Sequence, residues 1–103
     1  MPGEARVSYS ALMPPPKSWK HAAHTAWRRV EDESIVLNLE SSVYYSLNDT
    51  ASFIWERLGQ GKALPVIAAE LAEEYDVEES VAAKDLDAVV ASLRKDKLLV
   101  AAE

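Results

Sequence analysis

The sequence predicts an α+β fold of winged helix-turn-helix-like arrangement, a three-stranded antiparallel sheet followed by three helices. Two patterns predict it. Apolar and polar residues alternate from Ser34 to Glu40 and a β-branched and aromatic run follows at residues 43–47, whereas beyond Asn48 apolar residues recur at three- and four-residue spacing. Strands gathered early and helices late argue for segregated layers and against a parallel α/β sheet. The chain has 103 residues, 49% of them hydrophobic, enough for one core and too few for two.

The elements follow in order. Residues 1–24 read as an N-terminal arm, because Met13-Pro14-Pro15-Pro16-Lys17 breaks any helix and favours an extended polyproline conformation. Tyr9, Leu12, Met13 and Trp19 are the arm residues that could pack on something, so the arm reads as a disordered terminus, an added edge strand or a strap over the domain, and residues 25–103 form the folded domain. Thr25–Val30 is the first strand, with Trp27 covering one face of the sheet. Ser34–Glu40 is the second, its apolar face formed by Ile35, Leu37 and Leu39. Ser41-Ser42 makes the turn into Val43-Tyr44-Tyr45-Ser46-Leu47, the return strand of a hairpin. Asn48 suits a helix N-cap, with Asp49 near the positive end of the dipole. Ala51, Ile54, Trp55 and Leu58 mark the first helix, and Gly59 and Gly61 end it. Pro65 suits the first turn of a second helix, whose apolar positions are Ile67, Ala68, Leu71, Ala72 and Tyr75. Asp76 and Glu79 resemble a capping box for a third helix running from about Glu78 to Lys95, with Ala82, Leu86, Val89 and Leu93 as its buried stripe and Val90 widening it. Leu98-Leu99-Val100 is an apolar end that packs back on the core.

Composition excludes several functions. With no cysteine there is no disulfide, no thiolate nucleophile and no cysteine-held zinc. No apolar run approaches the roughly 18–20 residues that span a bilayer, and Pro2, Gly3, Glu4 and Arg6 interrupt any signal-peptide core, so a cytoplasmic protein without membrane contact is expected. Residues 1–30 hold five basic and one acidic side chain, residues 31–103 six basic and sixteen acidic, and an acidic folded part repels phosphate backbones. His21 and His24 stand three apart with no further ligand nearby, and read as solvated. Glycine-rich phosphate loops and nucleophile elbows are absent, and Glu73-Glu74 and Glu78-Glu79 read as solvated charge. Neither catalysis nor a cofactor is expected.

Ser34-Ile35-Val36-Leu37-Asn38-Leu39, Tyr44-Tyr45-Ser46-Leu47-Asn48-Asp49-Thr50-Ala51 and Ile54-Trp55-Glu56-Arg57-Leu58 together resemble the PqqD family of pyrroloquinoline quinone (PQQ) biosynthesis and its relatives. Ile67 to Tyr75, Asp85-Leu86, Leu93 and Leu98-Leu99 agree, so the resemblance covers about residues 27–100. It implies a non-catalytic recognition element for ribosomally made, post-translationally modified peptides (RiPPs). Such a module captures a precursor's leader peptide as an added strand beside the third strand and against the third helix. It presents the leader to a maturation enzyme: a radical SAM enzyme, a cyclase or a leader peptidase. A glycine is common in the family's hairpin turn, where this chain has Ser41-Ser42, and before the closing leucines, where Lys97 stands.

The expected peptide site follows from strand addition at an open sheet edge. Val43, Tyr44, Tyr45, Ser46 and Leu47 supply the edge, and Val81, Asp85, Ala88, Val89 and Ser92 the helical wall. Two rival readings differ in class. A winged-helix DNA-binding regulator is disfavoured because Glu78, Glu79, Asp85 and Asp87 make the N-terminal half of the third helix acidic, and recognition helices read bases from that end. An assembly subunit would instead pair its edge with a second copy, and the expected state of the chain is a monomer or a weak homodimer.

Overall fold

The computed structural model describes residues 18–101. Its elements are β1 (Trp19–His21), β2 (Thr25–Val30), β3 (Glu33–Asn38), β4 (Val43–Leu47), α1 (Asp49–Gly59), α2 (Leu64–Tyr75), α3 (Glu79–Lys95) and β5 (Leu99–Ala101). The proline run and Tyr9, Leu12 and Met13 of the expected arm lie outside the described residues.

β2, β3 and β4 form an antiparallel sheet in that order, with Trp27 opposite Val36 and Val36 opposite Tyr45. The buried parity of β3 is the reverse of the expected one. Ser34, Val36 and Asn38 face the helices, while Ile35 and Leu39 are 37% and 55% exposed on the other face. Asn38 is buried because its side chain is used, whereas the Ser34 hydroxyl is buried with no hydrogen-bond partner among the described residues. Asn38 Oδ1 accepts from the backbone N–H groups of Glu40 and Ser41, at 2.9 and 3.1 Å, and organises the hairpin turn. Its Nδ2 reaches Asp96 O at the end of α3, at 3.5 Å.

A second, two-stranded sheet was not expected. β1 pairs antiparallel with β5, Trp19 opposite Ala101 and His21 opposite Leu99. It lies in the stretch assigned to the arm, and the closing residues Leu98 and Leu99 are buried beneath it. His21 is not solvated. Its ring stacks on Trp55 with centroids 3.5 Å apart and planes 7° from parallel, and Nε2–H donates to Trp55 O at 2.8 Å. Burial lowers the His21 pKa, against the raising effect of that hydrogen bond. His24 is half-buried, with Nε2 on Lys97 O at 2.8 Å.

Asn48 caps α1, its Oδ1 accepting from Ala51 N at 2.9 Å. Asp76 is not the N-cap of α3. It ends α2 in the left-handed conformation, and the N-cap position is Glu78, without a side-chain cap bond. One core joins the layers: Val36 and Leu47 from the sheet, Ile54, Trp55 and Leu58 from α1, Ile67 and Leu71 from α2, Ala82, Leu86, Val90 and Leu93 from α3. Val90 is in the centre of the α3 stripe and Val89 at its half-buried margin, because the helix is rotated slightly from the expected register.

Both family departures sit at left-handed backbone. Ser42 has φ 62° and Lys97 φ 63°. Lys97 closes α3, its N–H donating to Arg94 O while that of Leu98 donates to Leu93 O, each at 2.9 Å. This paired closure normally ends on glycine, because any side chain there costs about 1–2 kcal/mol. Offsetting glycine's larger unfolded-state entropy, Ser42→Gly and Lys97→Gly are each expected to stabilise by roughly 0.5–1 kcal/mol, read as a thermal midpoint a few degrees higher.

Candidate functional site

β4 is one edge of the three-stranded sheet, so half of its backbone N–H and C=O groups lack a strand partner. It carries no charged side chain. The opposite edge, β2, carries Arg28 and Arg29, and charge on an edge strand discourages pairing with another chain. On β4, Val43, Tyr45 and Leu47 face the helices and Tyr44 and Ser46 face away. The inner face closes progressively along the strand. Leu47 is 9% exposed, Tyr45 half-buried, and Val43 44% exposed. The closure comes from α1, which starts directly after Leu47 and whose Ser52 Oγ–H donates to Leu47 O at 3.2 Å.

α3 has two unlike flanks. Ala83 and Asp87 look toward α2, across a 320 Å³ cleft also lined by Leu64, Pro65 and Ala68. The other flank carries Val81, Asp85, Ala88 and Ser92, one helical turn after another, and all four are exposed. Val89 borders it. Tyr45 and Val89 pack against the same core, so the inner face of β4 and the open flank of α3 adjoin one body of apolar side chains. The bond from Asn38 to Asp96 holds the hairpin against the C-terminal end of α3. Asp85 is the one charge among these four residues, with Lys95 a further turn along at the helix end, and Asp85 makes no ion pair among the described residues.

The charged clusters lie on other elements. Arg57 Nε and Lys62 Nζ converge on Glu70 at 3.3 and 2.7 Å, tying α1 to α2. The Lys62 hydrogen bond, with Arg57 beside it, holds the Glu70 carboxyl below its usual range. Arg29 pairs with Glu56. Among the described residues, no group of three or more His, Cys, Asp or Glu side chains could hold a metal ion. No helix among the described residues is long and apolar enough to cross a membrane.

The model for coenzyme PQQ synthesis protein D (PqqD) matches residues 33–99. The chain belongs to the PqqD family. No curated protein matches it. Two solved structures share its fold with 26% and 29% identity. One is TbiB1 in complex with the TbiA(beta) leader peptide, at TM-score 0.76, covering 82% of this chain and 98% of that one. The other is lasso peptide synthetase B1 complexed with the leader peptide, at TM-score 0.75, covering 81% and 98%. A third shares the fold at 19% identity and TM-score 0.66, covering 80% of this chain and 87% of that one. It is the PqqD truncation of Methylobacterium extorquens PqqCD, a stand-alone RiPP recognition element. The matched stretch of this PqqD-family chain contains the β4 edge and the whole of α3. β1 lies before it.

Proposed function

We propose that this chain is a non-catalytic module that captures the leader of a ribosomally made precursor peptide and presents it to the enzyme that matures it. The carrying observation is the charge-free open edge of β4 beside an uncovered flank of α3, in a fold whose relatives TbiB1 and lasso peptide synthetase B1 are described in complex with leader peptides. The leader adds as an extended strand to Val43–Leu47. Backbone pairing gives affinity that depends little on sequence, and alternate side chains give specificity. Those turned inward meet Val43 and Tyr45 on one side and Val81, Asp85, Ala88, Val89 and Ser92 on the other. The bend of the inner face, closed at Leu47 and open at Val43, directs the larger leader side chains toward the Val43 end. Catalysis belongs to the partner, a radical SAM enzyme, a cyclase or a leader peptidase, and the whole exchange takes place in the cytoplasm.

The test is calorimetric titration with the synthetic leader of a candidate precursor peptide, the TbiA(beta) leader of the related complex among those tried. Ala88→Glu and Val81→Glu place a desolvated charge in the wall, and each is expected to weaken binding by roughly 1–3 kcal/mol, about 5- to 150-fold. Glu73→Ala, at an exposed position on α2, leaves it unchanged within about twofold. Folded wall variants that bind as tightly as the parent would place the leader elsewhere.

A further inference from the structure

The outer face of the β2–β3–β4 sheet is apolar at its centre, with Arg28, Glu33 and Ser46 as its polar members, and no helix among the described residues covers it. Its centre is a shallow depression of 190 Å³ whose lining includes Ala26, Arg28, Ile35, Leu37 and Tyr44. Tyr44 is 70% exposed and Ile35 37%. The face that sequence alternation marked as apolar is thus the one left outside. Contiguous exposed apolar surface on a small domain marks an interaction site. Arg28 stands in the depression and makes no ion pair among the described residues.

We infer that this face docks the maturation enzyme, through an apolar ridge on the enzyme with a carboxylate set beside it for Arg28. The inference rests on the leader-binding reading above. Three arguments select this occupant over a second copy of the chain. First, the chain carries net charge −6, so copies repel, whereas Arg28 calls for an acidic group on whatever covers it. Second, three strands about 4.8 Å apart and about 17–20 Å long cover only some 250–300 Å², well short of the roughly 800 Å² per partner of a stable interface. A permanent dimer is therefore not expected, and a transient docking is. Third, the face is continuous with the β4 edge. A leader added there becomes a fourth strand, and every second leader side chain joins the outward row of Tyr44 and Ser46. An enzyme docked on this face touches module and leader together, and so binds the loaded module more tightly than the empty one. By reciprocity it also tightens the leader.

The experiment uses the full chain, the synthetic leader of a candidate precursor and the purified enzyme that matures that precursor. Arg28→Glu and Ala26→Glu lie on β2, two strands from the leader edge, and point to solvent. Expected are leader affinities within about twofold of the parent and enzyme affinities weakened about tenfold or more in both variants. Leader tightens enzyme binding to the parent chain about fivefold or more. Variants that keep leader affinity and enzyme affinity alike would overturn the docking face. So would a parent chain whose mass doubles with concentration in sedimentation and whose Arg28→Glu variant stays single, since the occupant would then be a second copy. Loss of leader affinity in the two variants would give the face to the leader itself. A parent chain that binds no leader removes the underlying reading, and this one with it.

Discussion

Trp55→Ala is expected to lower the thermal midpoint by at least about 12 °C. Truncating a buried tryptophan costs about 3–5 kcal/mol, and each kcal/mol is worth about 4–8 °C in a domain of this size. Trp55 is fully buried, with His21 stacked on it and the edge of Trp27 directed at it, 6.2 Å between centroids and 87° between planes. Its removal therefore empties the junction of β1, β2 and α1 at once. Trp55→Phe is expected to cost less than half as much. The phenyl ring keeps most of the contact, and the indole Nε1–H, buried without an acceptor among the described residues, is deleted rather than stranded. Circular dichroism melts of the two variants decide the matter; equal losses would mean that a phenyl ring restores none of the packing the indole supplies.

Gly59→Ala is the second large effect, and its sign runs against helix propensity. A methyl group at Gly59 would lie 2.5 Å from Cε1 and 2.9 Å from Nε2 of His21. The ring cannot step aside, because it is stacked on Trp55 and donates to Trp55 O. Overpacking of this kind costs about 1–3 kcal/mol, whereas alanine for glycine in a helix ordinarily gains about 0.5–1. In a His21→Ala background the clash vanishes and the ordinary gain returns, so the double-mutant cycle reports a coupling of opposite sign to the single change. The same background removes a pH dependence. Because the folded-state pKa of His21 is lowered from 6.5, the unfolded chain binds its proton first. Stability is full above pH 6.5 and is lost as pH falls through the folded value, and His21→Ala flattens that limb.

What the sequence makes legible is what local chemistry decides. The strand-to-helix junction is read correctly because Asn48 has a single good use there, and its side chain caps α1 as expected. The grouping of Val43, Tyr45 and Leu47 against Tyr44 and Ser46 and the α3 flank follow from periods of 2 and 3.6, whereas which β4 set turns inward is decided only by its register with β3. The face of β3 is misread because hydrophobicity was weighed without hydrogen bonds. Asn38 goes inward to build a turn and to reach Asp96, and it carries Ser34 and Val36 with it. β1 escapes notice because its three residues have their partner nearly the whole domain away, and no local pattern announces such a pairing. Asp76 looks like a start and is a stop, since an acidic residue three before a glutamate suits a capping box and a left-handed helix end alike.

The pairing of β1 with β5 also fixes geometry for anything joined to the chain. Because Trp19 and Ala101 are opposite one another, the described chain enters and leaves the domain at the same corner. A domain joined through a linker counted from Trp19 would be tethered to the same point as one joined through a linker counted from Ala101. Linkers of equal length and stiffness, so counted, would give much the same reach and the same local concentration at the β4 edge.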